Sequence, residues 1–256
     1  MVDKPVSVVE QFQALPPVAE GDYSLFGETE LINLPRAQVL GGKYLARNWV
    51  TIPHVTHHDE ADITQLEKVR KLLPVSEAEA KVSMPVLLLK AIVGALKEFP
   101  KFNSSIDASG SKLILKKYYN FGVAVDTPNG VLVPVIKNVD QKSIFEIANE
   151  LRELSVMARD KGLPMNKMEG GSFTLSSIGG LGGLAFTPII NAPEVAILGA
   201  TKTYWKPERG TNDDIVWQLK IPLSLSYDHR VINGADAAKF LTKIDKLVRD
   251  VQSLIE

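Results

Sequence analysis

The chain has 256 residues, 45% of them hydrophobic, which is enough to bury one large core and leads us to expect a single folded domain. Its 29 basic and 30 acidic residues leave a net charge of −1, so no overall charge favours binding to nucleic acid. The lack of cysteine excludes disulfides, thiolate metal sites and a cysteine nucleophile, and it suits a cytoplasmic protein.

Residues 1–22 are predicted to form an N-terminal arm or linker, and residues 23–256 the folded domain. Four residues that disfavour regular structure lie in this arm: Pro5, Pro16, Pro17 and Gly21. It lacks the charged segment followed by an apolar segment that marks a secretory signal. We also expect no membrane segment, because the most apolar run, 86–99, is interrupted by charged residues and is too short to span a bilayer.

Apolar residues spaced three or four apart predict five helices, over 34–47, 63–73, 85–99, 143–161 and 235–253. The fourth is the best marked. Ser143 and Glu146 have the spacing of a capping box, and Gly162 provides a stop.

Strands are predicted over 50–57, 112–126, 131–136, 173–178, 194–200 and 215–227, with a turn at 127–130 (TPNG). Helices and strands interleave without a regular βαβ rhythm, and several strands alternate apolar and polar residues. The sequence therefore predicts an α/β fold (α+β, two-layer), with helices packed on one face of a mixed β-sheet.

His229 lies where the last alternating strand stops, just before the Asn233-Gly234 turn and a packed helix. A side chain held rigidly at such a junction can be aimed, which favours a general base. A hydrogen-bonded structural histidine is the alternative. The flanking Asp228 and Arg230 are expected to brace the loop.

Ser176 and Ser177 are adjacent hydroxyls near the end of a predicted strand. Their side chains point to opposite faces of a regular strand, so only one of them can reach a given site. The alternative is a pair of polar residues preceding the glycine-rich run 179–183. A serine hydrolase is disfavoured, because the segment lacks the first glycine of a Gly-x-Ser-x-Gly elbow.

His54, His57, His58 and Asp59 suggest a metal site at first sight. Because alternation along a strand separates His54 and His57 onto opposite faces, we predict no metal there. These histidines are expected to line a substrate channel or a subunit contact.

Asp228-His229-Arg230 followed by Gly234 resembles the DHRxxxG signature of the 2-oxoacid dehydrogenase acyltransferases, the E2 cores. The resemblance runs from about Tyr23 to the end of the chain. Within that family, the sequence is most similar to the pyruvate dehydrogenase branch. Four further segments carry it in order: 49–57 (WVTIPHVTH), 102–105 (FNSS), 123–130 (VAVDTPNG) and 186–199 (FTPIINAPEVAILG).

This resemblance implies a chloramphenicol-acetyltransferase-like fold and acetyl transfer between dihydrolipoamide and coenzyme A. His229 would deprotonate the coenzyme A thiol, and Ser176, with Ser177 second, would stabilise the oxyanion. Many members carry aspartate at the position of Asn233. An amide can orient a neighbour but cannot stabilise imidazolium as a carboxylate does, and simple Asn-Gly turn chemistry is the alternative role.

The resemblance further implies that coenzyme A binds at Arg70, Ser83 and Asp126. Family members form homotrimers with active sites between subunits, and some build a cubic 24-mer, so His229 and Ser176 are expected to come from different chains. The lipoyl group, and the modules that bind the E1 and E3 enzymes, lie on domains that this sequence does not include. Branched-chain or succinyl transfer, and a non-catalytic structural core, remain alternatives.

Overall fold

The computed structural model describes residues 21–74 and 80–255. Most of the predicted arm lies outside these residues. Six α-helices form within the described part: α1 (Arg36–Thr51), α2 (Thr64–Leu72), α3 (Met84–Glu98), α4 (Ile144–Asp160), α5 (Gly234–Arg249) and α6 (Val251–Ile255). No helix of this part is long and apolar enough to cross a bilayer.

Helices α2 to α5 confirm the predicted helices to within a few residues, whereas α1 corrects one boundary. The chain stays helical through Val50 and Thr51, where a strand was predicted, and it becomes extended only at Ile52. Pro53 explains the stop, because the residue before a proline is driven out of the helical region. The predicted strand therefore begins later, at His54.

The capping box predicted at Ser143 is confirmed. Ser143 Oγ accepts a hydrogen bond from Glu146 N at 3.2 Å, and the Glu146 carboxylate accepts one from Ser143 N at 2.8 Å. The buried side of α4 then presents Ile144, Ile147 and Leu154 to the core. Local chemistry thus sets where this helix begins and which face it buries.

The strands are β1 (His54–Asp62), β2 (Ser104–Ile106), β3 (Leu113–Leu115), β4 (Phe121–Val123), β5 (Val125–Thr127), β6 (Gly130–Leu132), β7 (Val135–Ile136), β8 (Phe173–Ser177), β9 (Ala196–Ala200), β10 (Tyr204–Arg209) and β11 (Ile215–Asp228). Within the described residues, the main sheet has the order β1-β11-β9-β8-β4-β7, and β10 also pairs with β11. The pairs β4–β8 and β8–β9 are parallel and the others antiparallel, which confirms the predicted mixed sheet.

Two strand predictions were wrong because they joined segments that pair with different partners. The predicted strand 112–126 is divided among a β2–β3 ribbon, the main sheet and a β5–β6 ribbon. Region 131–136 is likewise split into β6 and β7, on either side of Val133 and Pro134. Strands β2 and β10 were not predicted. The turn at 127–130 is confirmed as the β5–β6 connection, with Gly130 at φ +112°.

Helices α3, α4 and α5 cover one face of the main sheet. Leu223, Leu225 and Tyr227 of β11 point into this core, where α3 is buried nearly all round. Ser224 and Ser226 alternate with them on the opposite face and are also fully buried. That second face is therefore polar, with a small apolar cluster of Ile52, Ile190 and Ile197 beside it.

Candidate active site

The backbone at His229 is held on both sides by hydrogen bonds. Asp228 N donates to Val195 O at 2.9 Å, and His229 N donates to Pro53 O at 3.1 Å. The His229 side chain itself is exposed, with its ring centroid 5.9 Å from that of the buried Tyr227. An exposed imidazole on a fixed backbone can reach a substrate and exchange a proton with it.

Asp228 and Arg230 brace this turn, as predicted. The Asp228 carboxylate is buried and accepts hydrogen bonds from Arg230 N at 3.0 Å and from Arg230 Nη2 at 2.6 Å. The pair holds the pKa of Arg230 above its ordinary value. Because these two side chains satisfy each other, they stabilise the loop.

Asn233 caps helix α5. Its Oδ1 accepts a hydrogen bond from Asp236 N at 2.8 Å, in the extended conformation usual for an N-cap residue. No hydrogen bond joins Asn233 to His229 in the described part of the chain. The turn-and-cap role is therefore confirmed, and an orienting role toward His229 stays a prediction.

Ser176 and Ser177 end β8 and are both half-buried. Ser177 shares a face with Phe173 and Leu175, which point into the main core. Ser176 shares the other face with Thr174, because side chains alternate along the strand. Its neighbour on β9 is Gly199, against which the Phe186 ring packs so closely that an added Cβ would lie 2.5 Å from it.

Ser176 and His229 of one chain lie toward opposite ends of the sheet. Ser176 pairs with Gly199, and Gly199 pairs with Ser224, five residues before His229. Five residues of strand span roughly 16 Å, and two strand spacings add about 9 Å across the sheet. Since general-base and oxyanion groups must both lie within hydrogen-bond reach of the reacting atoms, these two side chains cannot serve one site within a single chain.

His54 is a structural residue in this fold. Its Nε2 accepts a hydrogen bond from Ile190 N at 3.0 Å, its Nδ1 lies 2.8 Å from Ile52 O, and its ring stacks on Trp49. With both nitrogens engaged, His54 has no lone pair left for a metal. Across residues 21–74 and 80–255, no group of three or more histidine, aspartate and glutamate side chains is arranged to hold a metal ion.

Arg70 contacts Val82, the residue before Ser83. Arg70 donates to both Glu67 carboxylate oxygens, at 2.7 and 2.8 Å, and its Nη1 donates to Val82 O at 3.0 Å. The ion pair raises the pKa of Arg70 and lowers that of Glu67. Ser83 occupies the N-cap position of α3 without making a side-chain cap, so its hydroxyl is not used by the helix.

Asp126 lies elsewhere, on the β5–β6 ribbon, where it pairs across the ribbon with Val131 and is exposed. Sequence reasoning missed Glu194 and Lys116. Burial raises the pKa of Glu194 to about 8 and lowers that of Lys116. Glu194 lies within the segment 186–199 that resembles the family, and this was the only indication of its importance in the sequence. No local pattern relates it to Lys116, which is 78 positions away.

The protein-family model for the catalytic domain of 2-oxoacid dehydrogenase acyltransferases matches residues 27–256. The dihydrolipoyllysine-residue acetyltransferase component of the pyruvate dehydrogenase complex from Cupriavidus necator is 51% identical over 243 residues, which cover 91% of this chain and 42% of the relative. The Haemophilus influenzae protein of the same name is 48% identical, with the same coverage. The chain thus spans less than half the length of these curated relatives.

Two solved structures are each 47% identical with a TM-score of 0.91, covering 94% of this chain and 100% of theirs. One is the dihydrolipoamide acetyltransferase of Azotobacter vinelandii, and the other is described as the cubic core of the pyruvate dehydrogenase multienzyme complex. A chloramphenicol acetyltransferase, 16% identical with a TM-score of 0.56 over 80% of this chain, shares the fold. The chain belongs to the catalytic-domain family of the 2-oxoacid dehydrogenase acyltransferases.

Proposed function

We propose that this chain transfers an acetyl group between dihydrolipoamide and coenzyme A, as the catalytic core of a pyruvate dehydrogenase acetyltransferase. The observation that carries the proposal is the exposed His229 imidazole on a backbone pinned by Pro53 and Val195. Family membership and the Cupriavidus necator and Haemophilus influenzae relatives support the choice of acyl group.

His229 takes the proton of the coenzyme A thiol. This transfer is accessible because the ordinary pKa of a thiol lies only about two units above that of an imidazole. The thiolate then attacks the thioester carbonyl of acetyl-dihydrolipoamide and forms a tetrahedral oxyanion. The Ser176 hydroxyl donates a hydrogen bond to that oxygen. The intermediate collapses, expels the dihydrolipoyl thiolate, and the imidazolium returns its proton to that sulfur.

The study of the Azotobacter vinelandii enzyme concerns a serine, a histidine and an asparagine in its catalytic mechanism. Its histidine and asparagine are four positions apart, as His229 and Asn233 are, and its serine lies 52 positions before the histidine. Ser177 and Ser176 lie 52 and 53 positions before His229. We choose Ser176 because it lies on the sheet face opposite the main core, whereas Ser177 shares the core face.

The active assembly is a homotrimer with each site between two subunits. One support is the distance between Ser176 and His229 within one chain, which is too large for both side chains to reach the same reacting atoms. The other is a large exposed apolar surface on residues 21–51, which includes Phe26 (89% exposed), Leu31 (97%) and Trp49 (61%). Monomeric proteins rarely leave this many large apolar side chains of one segment exposed, so we assign the segment to a subunit contact. Trimers assemble further into a cubic 24-mer, as the cubic core structure suggests.

Coenzyme A binds near Arg70 and Ser83, whose guanidinium and hydroxyl suit phosphate oxygens, with Asp126 as a weaker contact. The lipoyl group arrives as a substrate carried on a lipoyl domain. The E1 and E3 enzymes are partners in the complex, which works in the cytoplasm.

The decisive experiment is acetyl transfer from acetyl-CoA to dihydrolipoamide, for wild type and His229→Ala, with oligomer size measured for both. We expect His229→Ala to lose about 10²–10⁴-fold in kcat without losing its assembly. Arg209→Ala is the control and should keep wild-type turnover. The exposed Arg209 side chain donates to Asp213 Oδ1 at 2.5 Å, and Arg209 pairs with Ile215 at the end of β11 opposite to His229.

Two other outcomes would change the proposal. If wild type is inactive with acetyl-CoA but active with succinyl-CoA or a branched acyl-CoA, the chain serves a different 2-oxoacid. If no donor works in an intact assembly, the chain is a structural core subunit.

A further inference from the structure

Four buried side-chain atoms lack a hydrogen-bond partner among the described residues: Asn103 Oδ1, Lys116 Nζ, Thr174 Oγ1 and Glu194 Oε2. Buried polar groups are almost always paired, either with protein or with ordered water. Four unpaired atoms from four residues therefore call for a common explanation.

The four residues belong to one connected group. Asn103 Nδ2 donates to Lys116 O at 3.0 Å, and Lys116 N donates to Asn103 O at 2.9 Å, where the β2–β3 ribbon meets the main sheet. The charge of Lys116 acts on Glu194, and the Thr174 hydroxyl lies close enough to lower the pKa of that carboxyl without completing a well-formed hydrogen bond. Ser105 Oγ also donates to Pro193 O, which ties the ribbon to the residue before Glu194.

The backbone closes tightly around this group. A Cβ added at Gly122 would lie 2.7 Å from Thr174 Oγ1, and one added at Gly171 would lie 2.8 Å from Glu194 Oε1. Glycine at both positions leaves room that any other residue would fill. The group is thus a built polar site inside the domain.

The unpaired atoms match the hydrogen-bonding capacity of water. The Lys116 ammonium donates, the Thr174 hydroxyl donates or accepts, and the free oxygens of Asn103 and Glu194 accept. A water molecule accepts two hydrogen bonds and donates two, and internal waters in proteins typically make about three. Thr174 lies two residues before Ser176 on the same face of β8, so whatever fixes Thr174 also fixes the strand end below Ser176.

We propose that Asn103, Lys116, Thr174 and Glu194 bind an ordered internal water molecule, and that this hydrated unit positions the end of β8 that carries Ser176. The unit also touches the His229 side of the sheet, because Val195, next to Glu194, accepts the backbone hydrogen bond of Asp228. None of the four side chains contacts substrate in this arrangement. They act through Ser176 as positioning residues. Their expected effect on turnover rests on the proposed function.

The water itself is tested by a high-resolution crystal structure of the intact assembly. We expect density for a water within hydrogen-bonding distance of Lys116 Nζ and the Glu194 carboxyl. A dry site, in which Lys116 and Glu194 pair directly, would overturn the proposal. This measurement does not depend on turnover, so an inactive wild type would contradict the proposed function without affecting this result.

The positioning role is tested by Thr174→Val and Thr174→Ser. We expect Thr174→Val to lose the water and about tenfold in kcat, with both KM values within about twofold of wild type, because a displaced oxyanion donor weakens transition-state binding alone. Thr174→Ser keeps the hydroxyl and should retain the water and wild-type kcat. Unchanged kcat in a Thr174→Val crystal without the water would refute the positioning role.

Thr201→Val is the matched control, since Thr201 is as buried as Thr174 but its hydroxyl already donates to Leu184 O at 3.0 Å. It should leave kcat unchanged. If Thr174→Val does not assemble, Lys116→Met provides the same test by removing the principal donor to the water. A kcat equal to that of wild type in an assembled Lys116→Met would count against the proposal in the same way.

Discussion

Ser176 and Ser177 differ in environment although they are adjacent. Ser176 faces away from the main core, whereas Ser177 shares the face of Phe173 and Leu175, which point into it. We predict that Ser176→Ala lowers kcat roughly 10²–10³-fold, the loss typical for an oxyanion donor. Ser177→Ala should stay within about tenfold of wild type. Steady-state kinetics on both variants decide the matter, and a larger loss for Ser177→Ala would reverse the assignment.

Glu194 makes stability depend on pH in an unusual direction. Burial raises its pKa from 4.5 to about 8, so between these values the folded protein binds a proton that the unfolded chain has released. The free energy of unfolding should therefore fall as pH rises from about 5 to 8, by an amount on the order of 4 kcal/mol at most. Lys116, whose pKa burial lowers, contributes the opposite slope as pH approaches its ordinary pKa of 10.5.

Urea unfolding of wild type and Glu194→Gln at pH 5, 6.5 and 8 measures this contribution. Glu194→Gln removes the titrating carboxyl and should flatten the pH dependence. Equal slopes for the two proteins would show that Glu194 does not titrate in this range.

His229 could be proposed as a candidate base from the sequence because the pattern around it is local. An alternating strand, a turn and a capped helix follow one another without interruption. The brace formed by Asp228 and Arg230 was predictable for the same reason. Glu194 and Lys116 could not be predicted, because their burial arises where a ribbon, a loop and two strands meet. No pattern in the sequence near either residue predicts that these segments pack together.

At the scale of elements, helix α4 tests whether local capping chemistry matters in this fold. Ser143→Ala removes the two hydrogen bonds that the Ser143 hydroxyl makes with Glu146 and leaves the bond from Ser143 N to the Glu146 carboxylate. It should lower the free energy of unfolding by about 1 kcal/mol. Ser155→Ala, in the interior of the same helix, is the control and should be neutral or slightly stabilising, since alanine has the higher helix propensity. Denaturant unfolding compares the two, and equal effects would mean that the box adds nothing.

The strand errors show where element prediction fails. Residues 112–126 have the composition of one strand, yet they enter three separate sheets, because each short segment finds a different partner. The end of α1 was misassigned because Val50 and Thr51 are β-branched, as is typical of strands. At residues 112–126, tertiary strand pairing decided the local conformation against a weak local preference.

At the scale of the whole molecule, the proposed active site between two subunits predicts complementation between inactive variants. Co-assembly of His229→Ala with Ser176→Ala places an intact histidine opposite an intact serine at some subunit contacts. With random mixing, about a quarter of the sites regain both groups, and the mixture should regain a corresponding share of wild-type turnover. Kinetic assays on the whole randomly mixed preparation test this. Mixed trimers that stay inactive would place both residues in one chain.

The sequence by itself determined the strand–turn–helix junction at His229, the capped helix α4, the mixed α/β class and the family, because each depends on contiguous patterns of residues. Only the tertiary structure decided that Ser176 and His229 lie at opposite ends of one sheet and that Glu194 and Lys116 are buried together. The physical reason is strand pairing. The register of β8, β9 and β11 depends on contacts between residues that are far apart in the chain, and these contacts set distances that no local pattern encodes.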